Sequence, residues 1–589
     1  MSLAWHSRLL ARRRPIATDT PARIDHVSLV GSILHEPRTV RLLGLLGVFV
    51  VAVLIGVQFA RPAQVTREQA PELGCMDVAA ATGLTFRGAY GDIYPTRDEM
   101  GRIMQRNMGN GAAVGDYDGD GYLDVFLGGQ AGQQSRLFRN VPAADGSRSY
   151  VDVTTAAGLN IRGNVRVAQF VDLGSGRPDL VVATDFVEEL GGEPSGIFRN
   201  NGDGTFVDVT AGSGFDPMGY IVGGMTFADY DHSGRQSIYL SYWTQELAGD
   251  PALMRVQGAF PGMNRLYRNL GDYRFDDVTY DSGLGATRAD SFTAIFADFT
   301  GDRQADIYQA SDHRPDRFYV NQGGHFRDSS EEAGLLSRAG NSMGVAAADL
   351  TGSGGLDLYV TQITDPGRRF GTNTGNTLMV SRPDGEATSF RDDAGSRGIV
   401  DSAWGWGTAF VDANLDGALD IYAVQGMREF VGGDSTHIEH ATSKLFINDG
   451  SGMSFTAAED TGCDLKGDQR ALVVFDYNRD GSPDLLVTQV DAPTLLLENR
   501  ILGPHWLTVQ PAAPGDGGIG ARVSVTVDGR TTHQLVLAGG SYLAGPPREL
   551  YFGLGDASAA DLVRVEWVDG TVTDLRGIAA DRILSVAKP

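Results

Sequence analysis

Short apolar runs, alternating or clustered and bounded by Gly, Asn and Asp, recur from about residue 75 to the end of the chain. Runs of that length and punctuation predict β-strands. Ahead of them lies a pattern of another kind, LLGLLGVFVVAVLIGVQFA at residues 42–60, nineteen positions without a charge. A helix of that length covers about 30 Å of hydrocarbon, so the pattern predicts one transmembrane helix. Arg8, Arg12, Arg13, Arg14, Arg23, Arg38 and Arg41 precede it. The positive-inside bias then predicts a cytoplasmic tail at 1–41 and an extracytoplasmic remainder, at the cell surface or in the periplasm. The small-residue pattern after the apolar run is poor for cleavage, so a retained single-pass anchor is expected, with a linker at 61–74.

The strand-like runs are organised by repetition. Seven segments share an apolar strand, an Asp-rich loop and a second apolar strand; AAVGDYDGDGYLDVFLGG at 112–129 is the clearest. The first aspartates of the loops are Asp116, Asp172, Asp229, Asp298, Asp349, Asp412 and Asp476, at intervals of 51 to 69 residues. Between loops come LFRN at 137–140, IFRN at 197–200, LYRN at 267–270, FYVN at 318–321 and LFIN at 445–448, and then segments such as YVDVTTAAGL. Each repeat thus supplies about four short strands. Four-stranded sheets repeated radially make a β-propeller; a linear solenoid is the rival arrangement. The expected fold class is all-β: a seven-bladed propeller over 75–500, a β-sandwich over 501–589 and one N-terminal transmembrane helix. CMDVAAATGL at 75–84 matches the third signature yet precedes the first loop, while TLLLENR at 494–500 runs into a different region. The N-terminal strand is therefore expected to complete blade seven and latch the ring.

The loops carry the candidate chemistry. DYDGDGYLD places Asp116, Asp118, Asp120 and Asp124 at positions 1, 3, 5 and 9, with a carbonyl available at Tyr122. Alternate side chains converge on one point, and hard oxygen ligands in a flexible loop suit calcium. Without a cation such carboxylates repel and raise one another's pKa. The loop at 412–420 offers Asp412, Asn414, Asp416, Ala418 and Asp420, and that at 476–484 offers Asp476, Asn478, Asp480, Ser482 and Asp484. Less charged is 349–357, with Asp349, Thr351, Ser353, Gly355 and Asp357. The loop at 298–306 keeps Asp298, Thr300, Asp302 and Asp306 but has Arg303 where Gly is wanted, and Arg303 could itself supply positive charge. Three to five calcium ions are expected. Loop three ends in Ser237 and loop two is one residue short, so no ion is expected in loop two. Ordinary Asp-Gly turns are the alternative reading of all these loops.

Composition narrows the partners. The net charge is −25, and residues 1–41 hold seven arginines against three acids, so the remaining body is still more acidic. That excludes nucleic acid as a partner class. Glycine, at 78 residues, fits many tight turns. The two cysteines, Cys75 and Cys463, form no CxxC motif. A disulfide joining the two ends of the propeller is one reading and two buried thiols the other.

At these residues the chain resembles the FG-GAP, or VCBS-type, repeats of integrin α-subunits. More closely, it is similar to the cartilage acidic protein family, which pairs such repeats with an ASPIC/UnbV region. GIGARV, GGSYL, FGLG and VEWVDG within 518–575 carry the second resemblance. It implies a calcium-stabilised propeller that binds a protein or glycan. Similar proteins with UnbV regions accompany natural-product gene sets, enediynes included, which implies an alternative accessory or catalytic role; a purely structural envelope protein is the third reading. No GxSxG, HExxH, Walker or Rossmann fingerprint is present. His437 and His440 are spaced for one helix turn, and a solvated blade loop accounts for them. GGSYLAGPP reads as a structural turn before it reads as a binding loop.

Overall fold

The structure, a computed structural model, describes residues 73–89, 107–185, 195–217, 221–243, 264–286, 291–337, 340–364, 375–384, 387–401, 403–427, 441–514 and 517–589. Its repeating unit is a four-stranded antiparallel sheet. Blade one comprises Ala112–Gly115, Asp124–Leu127, Arg136–Pro142 and Arg148–Asp152. The second strand of every blade starts at or beside the last residue of the acidic loop, and each antiparallel pair is closed by that loop. The first strands are buried throughout or nearly so, Val165–Val171 and Ser291–Ala297 among them. That burial on both faces explains their continuous apolar character. Each first strand touches the first strand of the next blade, and that of blade seven touches that of blade one. The seven sheets therefore close on themselves as a propeller, which excludes the linear solenoid.

Closure is made by the opening of the chain. Cys75–Asp77 pairs antiparallel with Leu495–Asn499 as the outer strand of blade seven, in the register Cys75 opposite Asn499. Cys75 is disulfide-bonded to Cys463, with their Cα atoms 4.9 Å apart. Of the two readings left open by the sequence, the disulfide is the one found.

In most blades the asparagine that ends the LFRN-type signature is mortar between blades, while Asn448 of blade six donates to Leu419 within its own blade. In blade one the Asn140 side chain donates to the carbonyl of Tyr477 in blade seven at 2.8 Å. Asn200 donates likewise to Tyr117 at 2.7 Å, Asn321 to Tyr230 at 2.8 Å and Asn499 to Ala413 at 2.8 Å, each reaching the preceding blade. Each of these buried amides satisfies a loop carbonyl that would otherwise face the protein interior unpaired.

Residues 505–587 form two further sheets. Leu550–Gly555, His505–Ala512 and Arg582–Ala587 make one; Arg530–Leu535, Arg522–Val527, Ala559–Glu566 and Val572–Ala579 make the other. Leu507, Val509, Val523, Val563 and Phe552 share one core between them, as in a sandwich. That core is continuous with Met225 and Phe227 of blade three, so sandwich and propeller pack as one body.

The transmembrane helix expected at 42–60 lies outside the described residues. Among the described residues no helix is long and apolar enough to cross a membrane. The α-helices there, Ala79–Thr82 and Ala394–Arg397, are single turns of about 6 Å each. The expected fold class is corrected to an all-β fold without its membrane helix. The single-pass, extracytoplasmic localisation and the membrane as a partner are withdrawn with it.

Candidate metal loops and the axial turn

In loop one the glycines set the path: Gly119 and Gly121 sit at φ 76° and 88°, where a side chain is disfavoured. The backbone wraps around Asp116, whose Oδ1 accepts from the amides of Gly119 (2.8 Å) and Asp120 (3.1 Å) and whose Oδ2 accepts from Gly121 (2.9 Å). Carboxylate oxygens of Asp116, Asp118 and Asp120 all lie within 4.8 Å of one another. Among the described residues this is the set of three acids whose oxygens all meet that limit. Calcium–oxygen distances of about 2.4 Å put opposed ligands about 4.8 Å apart, so the set fits that ion. Asp124 is buried behind them and accepts from the amides of Tyr117 and Asn140. Burial, helped by the charge of Asp118, pushes its carboxyl up to about 8. Arg139, the arginine of LFRN, lies 2.5 Å from Asp118 and 3.3 Å from Asp120. The Tyr122 ring is covered by the Arg148 guanidinium at 3.4 Å.

Loops six and seven repeat the wrap. Asp412 accepts from Asp416 and Gly417, and Asp476 from Asp480 and Gly481. Asn414 and Asn478 each accept from the amide two residues on and donate to the carboxylate there, Asp416 or Asp480. Asp416 and Asp480 accept in turn from the amides of Ala418 and Ser482. Asp420 and Asp484 are buried and accept from Asn448 and Asn499. Burial chiefly, then neighbouring carboxylates, raises both well above the usual range and holds Asp412 and Asp476 at about 7.

Loop four keeps the same wrap without its glycine. Arg303 takes φ 69° itself and donates its amide to Asp298 at 2.8 Å, while its guanidinium lies against Gly570 of the sandwich and not among the loop's acids. Asp302 accepts from Gln304, and Asp306, buried and pushed up to about 7, accepts from Phe299, Thr300 and Asn321. The Thr300 hydroxyl is buried without a hydrogen-bond partner, as an unfilled ligand position would leave it. In loop five Asp349 accepts from Ser353 and Gly354, the Thr351 hydroxyl donates to Asp357, and Gly355 donates to Ser353. Arg522 of the sandwich joins them, 2.6 Å from Asp349. In loop two the Tyr273 hydroxyl lies 3.1 Å from both oxygens of Asp179.

The sandwich rests on loops five, six and seven. Gly553 donates to Asp412 at 2.9 Å, Thr532 to the carbonyl of Gly417 at 2.5 Å, and Glu549 pairs with Arg479 of loop seven at 2.5 Å. Arg479 also donates to the carbonyl of Gly121 in loop one at 2.6 Å. Trp506 lies so close over Gly481 that a Cβ there would meet its ring at 1.9 Å. Trp506 aside, these sandwich residues stand from about seventy to over a hundred and seventy positions from the loops they touch, and no local pattern in the sequence joins them. Arg139 alone lay inside a repeated signature.

The GGSYL turn is neither a free binding loop nor a simple hairpin. It enters the axis of the propeller, where Ala544–Gly545 adds a parallel strand to Ala112–Ala113 of blade one. The carbonyl of Ala538 accepts from Phe227 of blade three, Ser541 exchanges hydrogen bonds with Thr408 of blade six, and the carbonyl of Pro546 accepts from Gln169 of blade two. Tyr542 is buried between Phe292 and Trp406, its ring 4.9 Å from that of Trp406, and its hydroxyl donates to Met108.

Comparison with known proteins agrees with this architecture. Residues 173–240 and 298–360 match the FG-GAP-like repeat, and residues 513–589 match the family described as ASPIC and UnbV. Cartilage acidic protein 1 of Mus musculus is 24% identical over 509 residues, 81% of this chain and 73% of that protein. The Xenopus tropicalis protein of the same name is 25% identical over 303 residues, 47% of this chain and 42% of its own length. Among solved structures, BBS1N in complex with ARL6DN aligns over 73% of this chain and 97% of its own, at 8% identity and a TM-score of 0.38. The chain is thus a protein of FG-GAP-like repeats joined to an ASPIC and UnbV region, similar over most of its length to cartilage acidic protein 1.

Proposed function

We propose that this chain is a calcium-loaded module that binds or scaffolds a protein or glycan. The observation that carries the metal is the convergence of Asp116, Asp118 and Asp120 within 4.8 Å. Asp124, with the carbonyl of Tyr122, would complete that site. Asp412, Asn414, Asp416 and Asp420 with the carbonyl of Ala418 would hold a second ion, and Asp476, Asn478, Asp480 and Asp484 with the carbonyl of Ser482 a third. Asp298, Thr300, Asp302 and Asp306 would hold a fourth. Loop five already receives a guanidinium from the sandwich. Bound ions would neutralise buried carboxylates and stiffen the surface on which the sandwich rests, leaving the blades as a rigid platform for a partner. Calorimetric titration with calcium after chelation tests this. Binding heat and a rise in melting temperature are expected; no heat and an unchanged melt would refute it. The partner is sought on a glycan array and by affinity capture with and without chelator, and capture that chelator abolishes is expected.

A further inference from the structure

Where the axial turn meets blades four to seven it leaves a cavity of about 150 Å³, open toward solvent on one side. Ile295, Val345, Ala347, Leu472 and Val474 line it from the blades, and Leu535 and Leu537 from the sandwich. The repeat explains the space. Two positions before the first aspartate of the loop, four blades carry phenylalanine: Phe170, Phe227, Phe296 and Phe410. Blades one and seven carry Val114 and Val474 there, and blade five carries Ala347. Blade five's first strand, Val345–Ala348, is VAAA, with alanine at three of its four positions. At one edge of the cavity the turn closes on blade four: Gly540 sits at φ 116°, and a Cβ there would stand 3.0 Å from Ile295.

We infer that this cavity is a binding site for a small apolar group, one aromatic ring or a branched aliphatic chain. The polar groups of its wall are already engaged with one another. Glu549 accepts from Arg479, Gln510 and Tyr551; Ser541 is bonded to Thr408; Gln534 donates to the carbonyl of Tyr551. The wall therefore presents mainly carbon, and an occupant gains by leaving water more than by hydrogen bonding. A volume of this size accommodates a benzene-sized molecule. The cavity borders the acidic loops, with Leu419 of loop six and Glu549, the partner of Arg479 in loop seven, in its wall, so calcium and chelator are separate arms of the test.

The test uses fluorobenzene followed by fluorine NMR, with indole as competitor, on the parent protein and two variants in both calcium and chelator. The parent is expected to give saturable binding that indole displaces. Ala347→Phe supplies the ring that four other blades carry, so it should weaken binding about tenfold or more. Ala347→Val, the residue of blades one and seven, should give an intermediate loss and guards against a folding defect in the larger substitution. Absence of saturable binding to the parent, or equal binding by parent and a folded variant, overturns the inference.

Discussion

Arg522 of the sandwich donates to Asp349 of the fifth acidic loop at 2.6 Å and to the carbonyl of Gly354 at 2.9 Å. The Asp349 side chain is fully buried, while Arg522 is partly exposed. A charge so placed needs a counter-charge, and here the protein supplies its own. Arg522→Ala should destabilise the metal-free protein by about 2 kcal/mol in urea unfolding, less than a fully buried pair because of the exposed arginine. In calcium the variant should bind one more ion than the parent by calorimetry, because loop five is then free to take a metal.

Stability should depend on pH in the absence of calcium and lose that dependence when calcium is bound. Burial holds Asp124 at about 8 and Asp412 and Asp476 at about 7 in the metal-free fold. An unfolded aspartate titrates near 3.9. Between about pH 4 and pH 8 the folded form therefore holds more protons than the unfolded chain, and its stability falls as pH rises. Calcium requires the ionised carboxylates, so its affinity should weaken as pH drops below about 7 and its binding should release protons. Melts from pH 5 to 8.5 should slope downward in chelator and lose that slope in calcium; parallel slopes would contradict the assignment.

The disulfide closes a span of 388 residues. In the chain-entropy account, restricting so long a loop in the unfolded chain stabilises the fold by about 6 kcal/mol at most. Cys463→Ser should lower the urea midpoint accordingly, and hydrogen exchange should rise first in Cys75–Asp77 and its partner Leu495–Asn499.

The inter-blade asparagines give a graded expectation. Asn200→Ala removes the donor to Tyr117 and leaves that carbonyl buried and unpaired, at a cost of about 1–3 kcal/mol. Asn201, exposed one residue later and bonded to Thr205, should tolerate alanine within about 0.5 kcal/mol. Equal losses for the two would argue against the inter-blade role.

The repeat made the propeller legible because each loop and its flanking strands are local: Asp116 and Asp124 are eight residues apart, and their hydrogen bonds stay within the blade. The latch was legible for the same reason, since the segment at Cys75 is an outer strand displaced from its own repeat. What was hidden depends on distant pairs. Nothing near Asp349 announces Arg522, and nothing in GGSYL shows that Tyr542 will be buried against Trp406. The signature asparagines were read as strand punctuation because their acceptors lie in another blade. The membrane expectation rested on an apolar run and its flanking arginines, and no helix among the described residues is long and apolar enough to join it.

The axis of the propeller is filled by residues from near the end of the chain, and its last blade is finished by residues from near the start. A ribosome would therefore have made all seven blades before the wheel could acquire its hub. Until then seven sheets with hydrophobic inner strands stand around an unfilled centre, a state prone to wrong pairing. Assembly is forced to follow synthesis, and a chain shortened at its end should accumulate as rings that never set.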